Sequence, residues 1–428
     1  MTKLEELYKI FTKSAGIYTD TRKPLSKGVF FALRGIFYDG NKYASKALNQ
    51  GAYRVIVDDF SLSNKSKKFI YVKNTYETLK KLANYHRKKL SCPVLAITGS
   101  NGKTTTKELI KAVVKKKYKT HGTIGNLNNN IGVPLTLLNI PLSSEFAIIE
   151  MGASHLKEIE ELCLIAKPSH GFITNFGKAH VEGFGSEEAI IEGKSELYEF
   201  LSNSNGTIFV NNDHKDQLKK LNKSKFISFG KDIKSNHIIS YSVKNKKLEV
   251  TFQQKKFISN LHGEYNFPNI AAAIIIGHHF NVPLNKIQKA IEAYKSNNNR
   301  SQLIKIKNFE IILDAYNANP SSMEAAIKSF HSAYPNESIV ILGDMLELGK
   351  ISSKSHKEVI KLLNKLSFSR SILIGENFGK IKTESKSFDK FKSTQDLTKY
   401  LKTNSIKEKH ILIKGSRSMA MEKLLPFF

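Results

Sequence analysis

The chain has 428 residues, 40% of them hydrophobic, and a formal net charge of +29; that length exceeds what one core holds and calls for roughly two to four domains. No run approaches the ~18 consecutive apolar residues of a membrane span, the start MTKLEELYKIF lacks the apolar core of a signal peptide, and Cys92 and Cys163 are too few and too far apart for a disulfide framework or a zinc knuckle, so a cytoplasmic, reducing setting is expected. The positive charge is dispersed lysine, with arginine only at Arg22, Arg34, Arg54, Arg87, Arg300, Arg370 and Arg417, which reads as a solvated surface that draws acidic substrates and excludes a nucleic-acid groove, where the bidentate guanidinium is preferred.

In chain order, residues 1–90 read as a small α/β unit, with the β-rich runs GVFFALRG and GAYRVIVDD on either side of the helix-like NKYASKALNQ. Residues 91–298 carry the buried-looking strands VLAIT, FAIIEM, HGFITNF and TIFVNN in alternation with helical stretches, the pattern of a parallel sheet with right-handed crossovers. A β-hairpin-like region over Ile238–Leu261 and two apolar helices reaching Tyr294 follow. The polar KSNNNRS reads as a linker. Residues 299–428 return to alternation, with FEIILDAY, SIVILGDM, RSILIG and HILIKGS as strands. The expected fold is therefore α/β in three domains: a central P-loop, parallel-sheet domain between a small N-terminal α/β domain and a C-terminal Rossmann-like domain.

The stretch ITGSNGKTTTKELI, residues 97–110, is a strand, a glycine turn and a helix start, where free N–H groups and the helix dipole favour an anion. The usual phosphate loop has a glycine five residues before its Gly-Lys pair, whereas Ile97 stands there, so this loop is shortened. Gly99, Ser100, Asn101, Gly102, Lys103, Thr104 and Thr105 are the nucleotide-binding candidates; Lys103 is placed for the β- and γ-phosphates, and the Thr104 hydroxyl suits Mg²⁺. Glu150 closes the strand FAIIEM at the carboxyl edge of the sheet, beside the loop, and His180 follows another strand end in NFGKAHVEGFGS. Two such groups next to a phosphate loop point to metal ligation. Lys194, in IIEGKSELYEF, taken alone is a surface helix lysine.

These motifs occur together in an order that is similar to that of the Mur ligases: TGSNGKTTTKE (98–108), GNLNNNIGVPLTLL (125–138), EMGA (150–153), NFGKAHVEGFGS (175–186), GKSEL (193–197), DAYNANPSSMEAA (314–326), LGDMLELG (342–349) and KGSRSMAMEK (414–423). The last four, with the N-terminal YTDTRKPLSKGVFFALRG, resemble the branch that adds D-alanyl-D-alanine to UDP-N-acetylmuramoyl-tripeptide. The resemblance implies ATP-dependent amide formation through an acyl phosphate, in a cytoplasmic, monomeric enzyme of peptidoglycan synthesis. It implies two Mg²⁺ ions, with Thr104 and Glu150 on one, His180 and a carbamylated Lys194 on the other. A carbamate turns a cation that would repel the metal into an oxygen ligand.

By the same resemblance Asn266, in GEYNFPNIAAA, contacts adenine, with Tyr265 standing where family members generally have His. Arg300 and Asp314 close on the nucleotide, arginine on phosphate and aspartate on ribose. Thr21, Arg22, Asn128 and Asn129 hold the UDP-sugar, so residues 1–90 form its binding domain. Asn317 and Arg417 lie near the incoming dipeptide, the guanidinium suiting its carboxylate, and Asp344 positions the same groups. The rival readings are another ATP-dependent amide ligase, of tripeptide-forming or folylpolyglutamate type, and a non-catalytic nucleotide switch or nucleic-acid binder. The first would carry a DNPR-type sequence in place of DAYNANPSSM or lack the N-terminal unit, and the second has no use for Glu150, His180 and Lys194 together.

Overall fold

The computed structural model describes residues 4–23, 25–221, 225–366, 368–383 and 388–428; Met1–Lys3 of the start and Pro24 of the N-terminal motif lie outside the described residues. The N-terminal sheet pairs Ile17–Tyr18, Val29–Phe31, Arg54–Val57 and Phe69–Tyr71, all parallel. The stretch expected as helix-like between its strands is a 3-10 turn, Gly40–Tyr43, running into the helix Ala44–Asn49.

The central sheet has nine strands among the described residues. Third from one edge is β1 (Val94–Thr98), flanked by β2 (Phe146–Glu150) and β3 (His170–Ile173), both parallel to it. The helix α1 (Lys103–Val114) follows β1, and α2 (Glu187–Asn203) follows β3. Successive strand residues point to opposite faces, and the burial obeys this: Val94, Ala96, Ala147 and Ile149 join one apolar cluster, Leu95, Ile97, Phe146 and Ile148 the other. Both faces are covered, which is why these strands read as unbroken apolar runs. The region expected as a hairpin is a three-stranded antiparallel meander, His237–Lys244, Lys247–Phe252 and Lys255–Ser259, that continues the sheet at its far edge.

The third sheet contains β4 (Phe309–Asp314), β5 (Ser338–Gly343) and β6 (His410–Lys414), with β6 between the other two. The helix α3 (Pro320–Ala333) follows β4 and opens with a capping box between Asn319 and Ser322. Two edge strands, Gln302–Ile306 and Phe388–Phe391, went unread in the sequence because their half-exposed, lysine-bearing pattern carries little apolar signal. Among the described residues no helix is long and apolar enough to cross a membrane.

One apolar cluster runs from Leu7, Tyr8 and Phe11 in the first helix through Leu79 and Leu82 to Leu197 and Ile208, so the N-terminal unit and one face of the central sheet share a core. The buried clusters of the third sheet draw on residues 311–428 alone.

His170, at the start of β3, packs against Phe280 (ring centroids 4.9 Å), His279 (5.8 Å) and Phe209 (6.2 Å). Burial, with His279 and Lys225 nearby, pushes its pKa down to about 4. The unfolded chain therefore takes up a proton near pH 6.5 that the folded chain refuses, so this contribution to stability is complete above pH 6.5 and is lost as pH falls towards 4. Urea titrations across pH 7 to 4 should show that fall, up to roughly 3 kcal/mol from this residue, and His170→Phe should flatten it.

Candidate active site

The loop between β1 and α1 holds its shape through two glycines and a neighbouring strand end. Gly99 has φ +132° and Gly102 φ +82°; a Cβ on the first would lie 2.1 Å from Thr174 Oγ1, and on the second 2.5 Å from Asn269 Oδ1. Side chains are excluded there by both conformation and space. After β3, Asn175 grips the loop: its carbonyl accepts from Ser100 N–H at 3.0 Å, its Oδ1 from Asn101 N–H at 3.1 Å, and its Nδ2 donates to Asn101 O at 3.0 Å. Lys103 Nζ donates to Gly99 O at 2.5 Å and Ser100 O at 3.2 Å. Burial and the Arg300 charge depress its pKa to about 8, against the pull of Glu150.

Glu150 ends β2 about 1% exposed. Its Oε1 accepts from Thr104 Oγ1 at 3.1 Å and Asn128 Nδ2 at 2.9 Å. Its buried Oε2 has no hydrogen-bond donor and lies 3.5 Å from Lys107 Nζ. A buried acceptor left open beside a threonine hydroxyl fits a hard cation, and Mg²⁺ completes its shell with water and phosphate oxygens. Among the described residues no group of three or more His, Cys, Asp or Glu gathers, so a cation here must take its other ligands from such oxygens.

Lys194, expected from sequence alone on a helix surface, is instead 1% exposed. Gly193 beside it leaves room for Phe184, whose ring lies 4.8 Å from Lys194 Nζ, and the ammonium donates to Ala153 O at 2.8 Å. Burial, then the Lys103 charge, drive its pKa well below the usual amine range. His180 sits in the left-handed region at φ +55°, its Nδ1 2.6 Å from Glu347 Oε2 in the third domain. Burial first, then Lys103, lower its pKa.

The opposite wall comes from residues 299–428. Arg300 stacks on Tyr316, Cζ 3.7 Å from the ring centroid, and its Nε is buried with no partner. Asp314, at the end of β4, receives Ser301 N–H at 3.1 Å and pairs with the buried Lys414 at 2.5 Å. On the base side Asn266 donates to His262 O at 2.7 Å and accepts from Asn269 Nδ2 at 3.0 Å. Tyr265, where a histidine was expected, reaches Ser301 Oγ at 2.8 Å, and burial raises its phenol pKa.

A cleft of about 1210 Å³ brings together Ser100–Thr105, Asn128, Asn129, Glu150, His180, Asn266, Arg300, Asp314 and Asn317. Lys194 lies behind Ala153 on its wall. Thr21 is buried, and Arg22 is exposed and paired with Asp20 at 2.8 Å; neither lines this cleft. Asn129 Oδ1 accepts from Ile131 and Gly132 N–H, Asn317 Oδ1 from Ala318 N–H, and Arg417 pairs with Glu422 at 3.0 Å outside the cleft lining. Asp344 is 3% exposed; its carboxylate accepts from Asn377 N–H at 2.8 Å and Phe378 N–H at 3.0 Å and faces His356, and its carbonyl accepts from Ser416 N–H at 3.2 Å, beside Arg417. Sequence reading also passed over Lys107, Glu347, Asn319 and Ser321, all inside quoted motifs but with partners far away in the chain.

A shortened phosphate loop at the end of β1, a buried carboxylate at the next strand end and a second α/β body over both define the class of ATP-dependent amide ligases built on this fold. The family model for the Mur ligase middle domain matches residues 97–277, and that for the Mur ligase, glutamate ligase domain matches 299–417; the chain belongs to the Mur ligase family. It is 33% identical over 424 residues to the UDP-N-acetylmuramoyl-tripeptide–D-alanyl-D-alanine ligase of Bacillus subtilis, covering 96% of this chain and 92% of that one. Among solved structures it is similar to MurF of Acinetobacter baumannii (TM-score 0.87, 26% identity, 99% and 98% of the two chains). MurF of Thermotoga maritima in complex with ADP gives a TM-score of 0.85 at 28% identity over 98% and 97%.

Lys107→Met should leave the Glu150 carboxylate buried with no cation beside it, lowering stability by about 3 kcal/mol in urea titration. Adding Glu150→Gln should restore much of that loss, because the uncompensated charge is then gone.

Proposed function

We propose that this chain is an ATP-dependent ligase that joins D-alanyl-D-alanine to UDP-N-acetylmuramoyl-tripeptide, the last cytoplasmic step in making the peptidoglycan pentapeptide precursor. The full-length similarity to the Bacillus subtilis ligase carries this reading. On it, three units divide the work: 1–90 binds the UDP-sugar, 91–298 binds ATP, and 299–428 closes on the nucleotide and the dipeptide. Thr21, Arg22, Asn128 and Asn129 face the first substrate, and Asn317 and Arg417 the dipeptide. Asn266, Arg300 and Asp314 hold adenine, phosphate and ribose. The enzyme acts as a monomer.

The chemistry follows from the charge of the reactants. A carboxylate is a poor electrophile, so its oxygen first attacks the γ-phosphorus and ADP leaves. The dipeptide amine then attacks the acyl carbon of the acyl phosphate, gives up one proton to water, and phosphate departs with the C–O electron pair. Carboxylate and triphosphate are both anions, so electrostatic compensation dominates the barrier. Lys103 faces the transferred group, its pKa depressed by burial and by the Arg300 charge. Mg²⁺ would be held by Thr104 and Glu150 at one site and by His180 and carbamylated Lys194 at a second, where it supplies positive charge against both anions. The burial of Lys194 supports the carbamate: a neutral amine is what captures carbon dioxide, losing one proton as the N–C bond forms.

Release of phosphate from ATP should require UDP-muramoyl-tripeptide and D-alanyl-D-alanine together, with RNA or DNA without effect; turnover with either substrate alone would overturn the assignment. Lys103→Ala should keep the fold and lose at least about a hundredfold in ligation, as expected for removing one preorganised charge from a phosphoryl-transfer site. Lys194→Ala should lose most activity and regain part of it with added formate or acetate, measured at constant ionic strength. Wild-type activity without added acid would make Lys194 an ordinary buried helix residue.

A further inference from the structure

Asn101 uses its backbone on the central domain and its side chain on the third. Its carbonyl accepts from Thr174 Oγ1 and Asn175 Nδ2, and its N–H donates to Asn175 Oδ1. Its Nδ2 donates to Ser321 Oγ at 3.0 Å, Ser321 Oγ donates to Asn319 Oδ1 at 3.0 Å, and Asn319 Nδ2 donates back to Asn101 Oδ1 at 2.7 Å. Three side chains, two of them more than two hundred residues downstream, thus close a cyclic set of hydrogen bonds. Each group in such a ring both gives and receives, so the bonds reinforce one another, and opening one loosens the rest.

Gly177 shows how closely the surroundings fit this ring. It has no left-handed backbone to explain a glycine, yet a Cβ there would stand 2.6 Å from Ser321 Oγ and 2.7 Å from Asn101 Nδ2. The space of one methyl group is kept empty for the two side chains that meet across the domain boundary. Asn319 is also the N-cap of α3, so the ring ties the phosphate loop directly to the start of that helix.

We infer that Asn101 is a positioning residue whose hydrogen-bonded ring with Asn319 and Ser321 latches the third domain onto the phosphate loop, so that phosphoryl transfer is made conditional on closure. The inference rests on the ligase reading. An acyl phosphate formed in an open cleft is exposed to water and wastes ATP, and a loop that reaches its working alignment only when the dipeptide-bearing domain is seated avoids that loss.

The test compares wild type with Ser321→Ala, Gly177→Ala, Asn101→Ala and the Asn101→Ala/Ser321→Ala double variant, each checked by thermal melting. Ligation kcat should fall about tenfold in each single variant, and the double should be no more than about threefold below the worse single, because the ring is broken once. ADP affinity by calorimetry should stay within about threefold for Ser321→Ala and Gly177→Ala, which leave the residues of the phosphate loop itself unchanged. Wild-type kcat in those two variants, multiplying losses in the double, or a loss of ADP affinity equal to the loss of kcat would each overturn the latch. Ser321→Ala and Gly177→Ala act from different domains, so one misfolded variant leaves the other decisive. Wild type measured alongside separates the two claims: if it fails to join the dipeptide, the ligase reading falls, and small-angle scattering still judges the latch. Nucleotide-dependent compaction should then appear in wild type and be lost in both variants; equal compaction in all three overturns it.

Discussion

The carbonyl oxygen of Asn101 is the point on which the cleft is built. A threonine hydroxyl and an asparagine amide from the end of β3 converge on it, and Gly99 has no side chain that could displace the threonine. The loop is therefore shaped by the neighbouring strand end as much as by its own glycines. That is how it can do without the glycine at Ile97: the conformational work of a longer glycine-rich loop is done here by Thr174 and Asn175. Thr174 and Asn175 hold the backbone of the loop next to the start of α1, and dipoles held in place stabilise a developing anion at little reorganisation cost.

Around that fixed point the protein gathers cations, of which Lys107, Lys194 and Lys414 are buried. Lys103, Lys107, Lys194, Arg300 and Lys414 all converge on the cleft or its walls, and each is handled differently. Lys103 and Lys194 rest on backbone carbonyls, Lys107 sits between a carbonyl and two carboxylates, Lys414 pairs with Asp314, and Arg300 lies on the face of Tyr316. The unsatisfied donor on Arg300 and the unsatisfied acceptor on Glu150 are of opposite sign on opposite walls. A phosphate chain and a divalent cation together would satisfy both.

The elements that formed the fold were legible where burial on two faces produced apolar runs: β1, β2, β3 and the strands of the third sheet stand out for that reason. The short edge strands Thr120–Gly122, Gln302–Ile306 and Phe388–Phe391 were not, since an edge needs only half the apolar surface. In the site, Lys103, Thr104 and Glu150 followed from position on the strand–loop–helix unit. Lys107 and Lys414 did not, because a lysine in a chain so rich in them looks like surface, and only the tertiary structure shows the carboxylate that each one meets. The partners of Asp344 were not legible either: its carboxylate caps the turn at Asn377 and Phe378, more than thirty residues downstream. The Asn101 ring lies beyond sequence reasoning of any local kind, since its partners are brought together by the packing of two domains.

The common core that joins the first helix to β1 and β2 has a consequence for how the chain comes into being. The apolar faces of residues 7–208 cover one another, and those of 95–291 cover the other side of the same sheet. A nascent chain that has emerged as far as the linker already holds every residue of both clusters and can bury them, while the third body is still unmade. Most of the cleft floor would then be standing before its opposite wall exists, and the wall, whose buried apolar clusters lie within residues 311–428, is added to it last.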